Sequence, residues 1–215
     1  AAPPPMAAMV AASAQGVEAV KAAAAAVGVT VAPGREAVQA QHFLPLATVL
    51  RTMEETPAAT VATLADYFQV LLHLGEAPEH LLRTVLELLL PSGSVPNEAI
   101  AGAVATAFGQ AVAQQIQEKG LPEAAQEGRR TKRSLRAPPP RLTLQEVAEV
   151  LTASGSADAA ESQAMLARAL GATRAEGKEA FFLVKLLQGA SRPSMGDVHA
   201  AVARALVCAG GRGTC

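Results

Sequence analysis

Large apolar residues recur at helical spacing along most of the chain, beginning at Phe43. Leu46, Val49, Leu50 and Met53 form one stripe, and Val61, Leu64, Phe68, Leu71 and Leu72 form a second after a break at Pro57. Gly75 and Pro78 punctuate before a third helix with Leu81, Leu82, Val85, Leu86 and Leu89, which stops at the Pro91-Ser-Gly-Ser turn. Ile100, Val104 and Phe108 make a fourth stripe, and Val112 and Ile116 a fifth that ends at Gly120-Leu-Pro. Further on, Thr143-Leu-Gln-Glu146 has the spacing of a capping box, in which a hydroxyl and a carboxylate answer the free N–H groups of a helix start. The helix it opens turns Leu144, Val147, Val150 and Leu151 inward. Three more helices carry Met165, Leu166 and Leu170; then Phe182, Val184, Leu186 and Leu187; then Val198, Val202 and Leu206, the last preceded by a turn from Gly189 to Ser194. About nine helices result, and no segment has the alternation of a strand. The pattern predicts an all-α fold, an orthogonal multi-helix assembly in preference to an up-down bundle.

The pattern also divides the chain. Residues 1–42 are mostly Ala, Val, Gly and Pro, with Met6 and Met9 as their largest apolar side chains, so a helix there, transient over 17–27, has little to anchor it. We expect a mobile arm. Residues 43–208 form a helical domain whose halves, 43–120 and 142–208, are joined by a basic connector over 121–141; residues 209–215 are a flexible tail. From Gly128 to Arg141 there is no acidic residue, and Arg129, Arg130, Lys132, Arg133, Arg136 and Arg141 are all basic. Pro138 to Pro140 remove donors and fix an extended backbone, so this stretch is not helical throughout.

Composition sharpens the class. Of 215 residues, 50% are hydrophobic and 3% aromatic, which disfavours an all-β fold. With 49 Ala, the bulk of the core must come from 24 Leu and the other large aliphatics. The net charge of −1 conceals an asymmetry: residues 1–127 hold 5 Lys/Arg against 12 Asp/Glu, and residues 128–215 hold 13 against 7. A segregated positive half is either a docking face for a polyanion or one side of a charge complementarity between two halves of a fold.

The search for reactive groups is mostly negative. Cys208 and Cys215 have no second pair for a zinc site, which leaves a reducing, intracellular compartment as the default. His42, His73, His80 and His199 are scattered, with no i, i+4 pair. No membrane span or secretory leader is evident, so no membrane partner is expected. The chain opens on Ala, as a fragment or processed product would. Glu54-Glu55 and Glu76/Glu79 have the spacing of solvated helix ends. Positive signals concern phosphate: Ser154-Gly-Ser156 and Gly189-Ala-Ser-Arg192 are short turns that bring backbone N–H groups to a helix start, though such turns are also ordinary loops.

Taken in order, these features resemble the N-terminal DNA-binding domain of ATP-dependent DNA ligases. The resemblance runs from about Phe43 to Leu206. It rests on Phe43 to Glu55-Thr56, Leu81 to Pro91, Glu118-Lys119-Gly120, Arg130 with Ala137-Pro-Pro-Pro140 and Leu142-Thr143, then Ser154-Gly-Ser156, Lys178-Glu179-Ala180, and Leu187-Gln-Gly189 with Arg192 and Gly196-Asp197. It implies an all-helical domain that clamps nicked duplex DNA through backbone phosphates, in replication, repair or recombination, while later domains adenylate and seal. By the same resemblance the phosphate contacts are Ser154, Gly155, Ser156, Lys185 (in place of a family Arg), Gly189, Arg192, Gly196, Arg130 and, among the added connector cations, Arg133. Ala159-Ala160 stand where the family has a Lys pair, Phe181 where it has Arg, Ala190 where it has a basic residue and Ser194 where it has Gly. Each lost cation weakens salt-dependent phosphate affinity.

A ligase needs Lys-x-Asp-Gly for its nucleophile. None of Lys21, Lys119, Lys132, Lys178 and Lys185 is followed by it, so residues 1–215 cannot form a lysyl-adenylate. No cofactor is expected in this chain; ATP and Mg2+ belong to a catalytic domain elsewhere. The implied partners are nicked DNA and, in a longer ligase, adenylation and OB domains, at a nuclear or organellar location. The alternative is a helical protein-interaction module that docks through its basic connector.

Overall fold

The structure, a computed structural model, describes residues 41–74, 78–90, 94–132, 140–153 and 159–210. Its regular elements are helices: α1 (Phe43–Glu55), α2 (Thr60–Leu74), α3 (Pro78–Leu89), α4 (Asn97–Phe108), α5 (Gln110–Gln114), α6 (Ile116–Lys119), α7 (Leu121–Thr131), α8 (Leu144–Ala153), α9 (Ala159–Ala172), α10 (Glu179–Leu187) and α11 (Met195–Gly210). Single 3-10 turns at Pro57–Ala59 and Glu176–Lys178 lead into α2 and α10. The arm expected over residues 1–42 lies outside the described residues up to residue 40, and so does the tail from 211.

The capping box forms as its spacing predicts. Thr143 donates its backbone N–H and its hydroxyl to Glu146 Oε2 at 2.8 and 2.9 Å, and the Glu146 N–H donates to Thr143 Oγ1 at 3.2 Å. An isolated antiparallel bridge pairs His42 with Thr143: Phe43 N–H donates to the Leu142 carbonyl and Leu144 N–H to the Gln41 carbonyl, each at 2.8 Å. The starts of α1 and α8 are thereby tied together.

One core serves both halves of the chain. Leu46, Leu50, Leu64, Phe68, Val85 and Ile100 from the first half meet Val147, Leu166, Leu170, Phe182, Leu183 and Leu186 from the second in a single buried cluster. The halves interleave: α2 packs on α11, α4 on α9, and α1 on α10.

Two expectations need correction. Residues 121–131 are not connector but α7, packed on α4 and α10, with Leu121, Ala124, Ala125 and Gly128 buried. Its inward face is made of small residues, so it carries no strong apolar stripe to announce it. Gly128 permits the approach, since a Cβ there would stand 2.8 Å from Phe108 Cβ and Cγ and from Val112 Cγ1. On α11 the buried face is Val198, Ala201 and Ala205, while Leu206 and Val207 are 51% and 71% exposed. The i, i+3, i+7 progression runs through alanines, whose size lets α2 lie close, and it turns Leu206 outward.

Candidate nucleic-acid interface

The turn between α10 and α11 is a rigid reversal. Gly189 takes φ +73°, a left-handed conformation that glycine adopts without a Cβ clash. Its N–H donates to the Leu186 carbonyl at 3.0 Å, and the Ala190 N–H to the Lys185 carbonyl at 2.9 Å, the paired bonds of a Schellman motif. Gly189 is therefore required by the reversal itself. Arg192 folds back and donates from Nη2 to the Leu186 carbonyl at 3.2 Å. Its Nε is buried with no hydrogen-bond partner, and burial holds its pKa below the usual arginine value. Val95 N–H donates to the Leu187 carbonyl at 2.8 Å, and Gln188 Nε2 to Asn97 Oδ1 at 2.9 Å, so the start of α4 braces the same turn.

Ser194, at the position where the resemblance implies Gly, caps α11. Its Oγ accepts from Asp197 N–H at 3.1 Å and donates to Asp197 Oδ2 at 2.7 Å, while Val198 N–H bonds the Ser194 carbonyl at 3.0 Å. The Met195 and Gly196 N–H groups are the ones the helix itself does not use, and they belong to two exposed residues at the positive end of its dipole. The Asp197 carboxylate already answers part of that dipole.

Lys185 lies one turn before Gly189 and is not a free cation. Its Nζ donates to Glu54 Oε1 at 2.7 Å, and Ser191 Oγ donates to the same oxygen. Burial by itself raises the Glu54 carboxyl, but the hydrogen bonds from Lys185 and Ser191 and the charges of Lys185 and Lys178 outweigh it and hold the group below the usual carboxylate range. Phe181 presents its ring to both lysines, 4.7 Å from Lys185 Nζ and 5.7 Å from Lys178 Nζ. The aromatic residue that replaces a cation thus gathers two others.

Arg130 lies elsewhere. It sits in the last turn of α7, exposed and 3.4 Å from Glu127. Beside it Lys132 donates its ammonium to the Ala107 carbonyl at the far end of α4. Asn97, which touches Gln188, begins that helix, whose twelve residues span about 16 Å, so Lys132 and the α10–α11 turn meet α4 at opposite ends. Of the residues expected to contact phosphate, Lys185, Gly189, Arg192 and Gly196 come together, Arg130 stands apart, and Ser154, Gly155, Ser156 and Arg133 lie outside the described residues. Glu54, Ser191 and Phe181 join the first group without having been singled out for it. Glu54 and Lys185 are 131 positions apart, a separation with no local signature.

Among the described residues no group of three His, Cys, Asp or Glu side chains could hold a metal ion, and no helix is long and apolar enough to cross a membrane. Fold and turn together define an all-helical domain that offers cations and helix-start N–H groups at its surface. A family model, DNA ligase N terminus, matches residues 42–204, and the chain belongs to that family. Compared with curated proteins, the sequence finds no match.

Proposed function

We propose that this chain is the DNA-holding domain of an ATP-dependent ligase, which grips nicked duplex through backbone phosphates without base readout. Sealing itself, with its ATP and Mg2+, belongs to adenylation and OB domains that would be this domain's partners, in replication, repair or recombination within the nucleus. The observation that carries the proposal is the braced turn from Gln188 to Asp197 in a chain of the ligase N-terminal family: within ten residues it carries Arg192, tied back to the Leu186 carbonyl, and the Met195 and Gly196 N–H groups at the start of α11. Of the five guanidinium N–H groups of Arg192 one bonds Leu186 and the one on Nε is buried, which leaves those of the terminal nitrogens to answer a phosphate while the side chain braces the turn.

Fluorescence anisotropy with a nicked duplex at two salt concentrations tests this. Binding is expected to weaken steeply with salt, and Arg192→Ala to weaken it roughly fivefold to tenfold for every duplex sequence alike, with a shallower salt slope. No binding at low salt, by the chain or by a variant of it in which Lys185 is freed from Glu54, would sink the proposal. A second function, protein docking through the basic segment, is favoured by the exposure of Arg130 in the last turn of α7, on a different element from the α10–α11 turn. Charge reversal at Arg129, Arg130, Lys132 and Arg133 would then abolish a protein contact and leave duplex affinity unchanged.

A further inference from the structure

We infer that Glu54 is an intramolecular competitor for DNA phosphate: its carboxylate occupies the Lys185 and Ser191 donors that a phosphate oxygen would take, and so sets a threshold on duplex binding. The inference rests on the phosphate-contacting function proposed above and concerns its regulation.

The geometry has the features of a latch. A single carboxylate oxygen, Oε1, takes the Lys185 ammonium at 2.7 Å and the Ser191 hydroxyl. The three side chains come from separate places: the last turn of α1, the last turn of α10, and the turn that also carries Arg192. An ammonium and a hydroxyl converging on one anionic oxygen is equally the donor set for a phosphate oxygen. The pair is accessible, with 26% of the Lys185 side chain and 37% of the Glu54 side chain exposed, so an incoming phosphate can reach it. Lys178 also lies over the Phe181 ring, and its charge also acts on Glu54. Partly exposed ion pairs of this kind are weak. A polyanion can therefore displace the carboxylate, but must separate it from Lys185 and approach it against its negative charge. The ion pairs Arg51–Glu55, Arg83–Glu87 and Arg130–Glu127 each join neighbours on one helix; this one joins α1 to α10.

The test is binding of the full chain to a nicked duplex across a salt series. Glu54→Gln keeps the shape and removes the charge. It is expected to bind roughly 3-fold to 10-fold more tightly than wild type at low salt, with a plot of log K against log salt steeper by about 0.9, because Lys185 then neutralises one more phosphate. Glu54→Ala is expected to change binding in the same direction. The double variant Glu54→Gln/Lys185→Ala is expected to lose the gain, and Glu55→Gln, which removes the same charge one residue along, to give a much smaller one. Circular dichroism and melting confirm folding of each variant.

Wild type that binds, with Glu54→Gln and Glu54→Ala matching it in affinity and slope, overturns the latch and leaves the DNA-holding function standing. A gain that survives Lys185→Ala, or that Glu55→Gln reproduces, also overturns it. Silence from wild type and the Glu54 variants alike at low salt overturns both. Binding by Glu54→Gln where wild type is silent supports both.

Discussion

Glu179 is 1% exposed and begins α10, where its carboxylate accepts the Arg174 N–H across the preceding turn. Burial pushes its carboxyl up to about 7, against the pull of that N–H and of the Arg141 and Arg174 charges. Asp66, buried on α2 with Oδ1 unpartnered, is raised to about 6 by burial, against the pull of Arg204. Both values exceed those of the unfolded chain, so the folded state binds more protons across the interval between them. Stability from these groups is complete below about pH 4 and is lost as pH rises towards 7. His42, lowered by burial and by Arg141, contributes in the opposite sense as pH falls below its ordinary value. Glu179→Gln retains an acceptor for Arg174 and cannot ionise. It is expected to exceed wild type in stability at pH 8 by on the order of 1–3 kcal/mol and to match it closely at about pH 4, as urea unfolding midpoints at the two pH values will report. A variant less stable than wild type at both would show that packing, not ionisation, governs the site. The sequence displays Glu179 within Lys-Glu-Ala but cannot show its burial, which Ala180, Phe182 and Leu183 bring about by drawing the start of α10 into the core.

At the scale of elements, legibility follows the range of the interaction that defines each end and face. The α8 capping box needs residues three apart, and Thr143 and Glu146 are visible as such in the sequence. Thr143→Ala removes the hydroxyl from both sides of that exchange and is expected to cost about 1 kcal/mol, with Thr143→Ser restoring most of it; thermal melts of the two variants check this. α7 is the opposite case. Its core contacts are Leu121, Ala124, Ala125 and Gly128, and its remaining positions after Pro122 are charged or polar, so its charges pointed to a connector. What holds it is the close fit of Gly128 to Phe108 and Val112, a contact that depends on α4 and α5 being in place. α11 likewise buries alanines where the larger Leu206 was the more conspicuous residue.

Across the whole molecule, the acidic and basic portions of the sequence are not separate lobes. α1, α2 and α4 bury their apolar faces against α10, α11 and α9, so each half supplies the other's core. A fragment ending at residue 120 would leave those faces in water, and it is expected to show low helicity and no cooperative melt by circular dichroism, whereas residues 41–210 unfold in one transition. An independently folding fragment would contradict a shared core. The charge asymmetry has a matching outcome: Glu54 of the acidic half and Lys185 of the basic half meet, an instance of complementarity within the fold at a place where the sequence also suggested polyanion docking. The sequence by itself determined the all-helical class, the α8 cap, the reversal at Gly189 and membership of the ligase N-terminal family, because spacing of a few residues encodes each helix, cap and turn and their order marks the family. Only the tertiary structure decided that α7 is core, that α11 buries its alanines, and that Lys185 is held by Glu54. Those outcomes depend on which surfaces pack together, and groups 131 positions apart acquire a relation only when α1 and α10 are packed side by side.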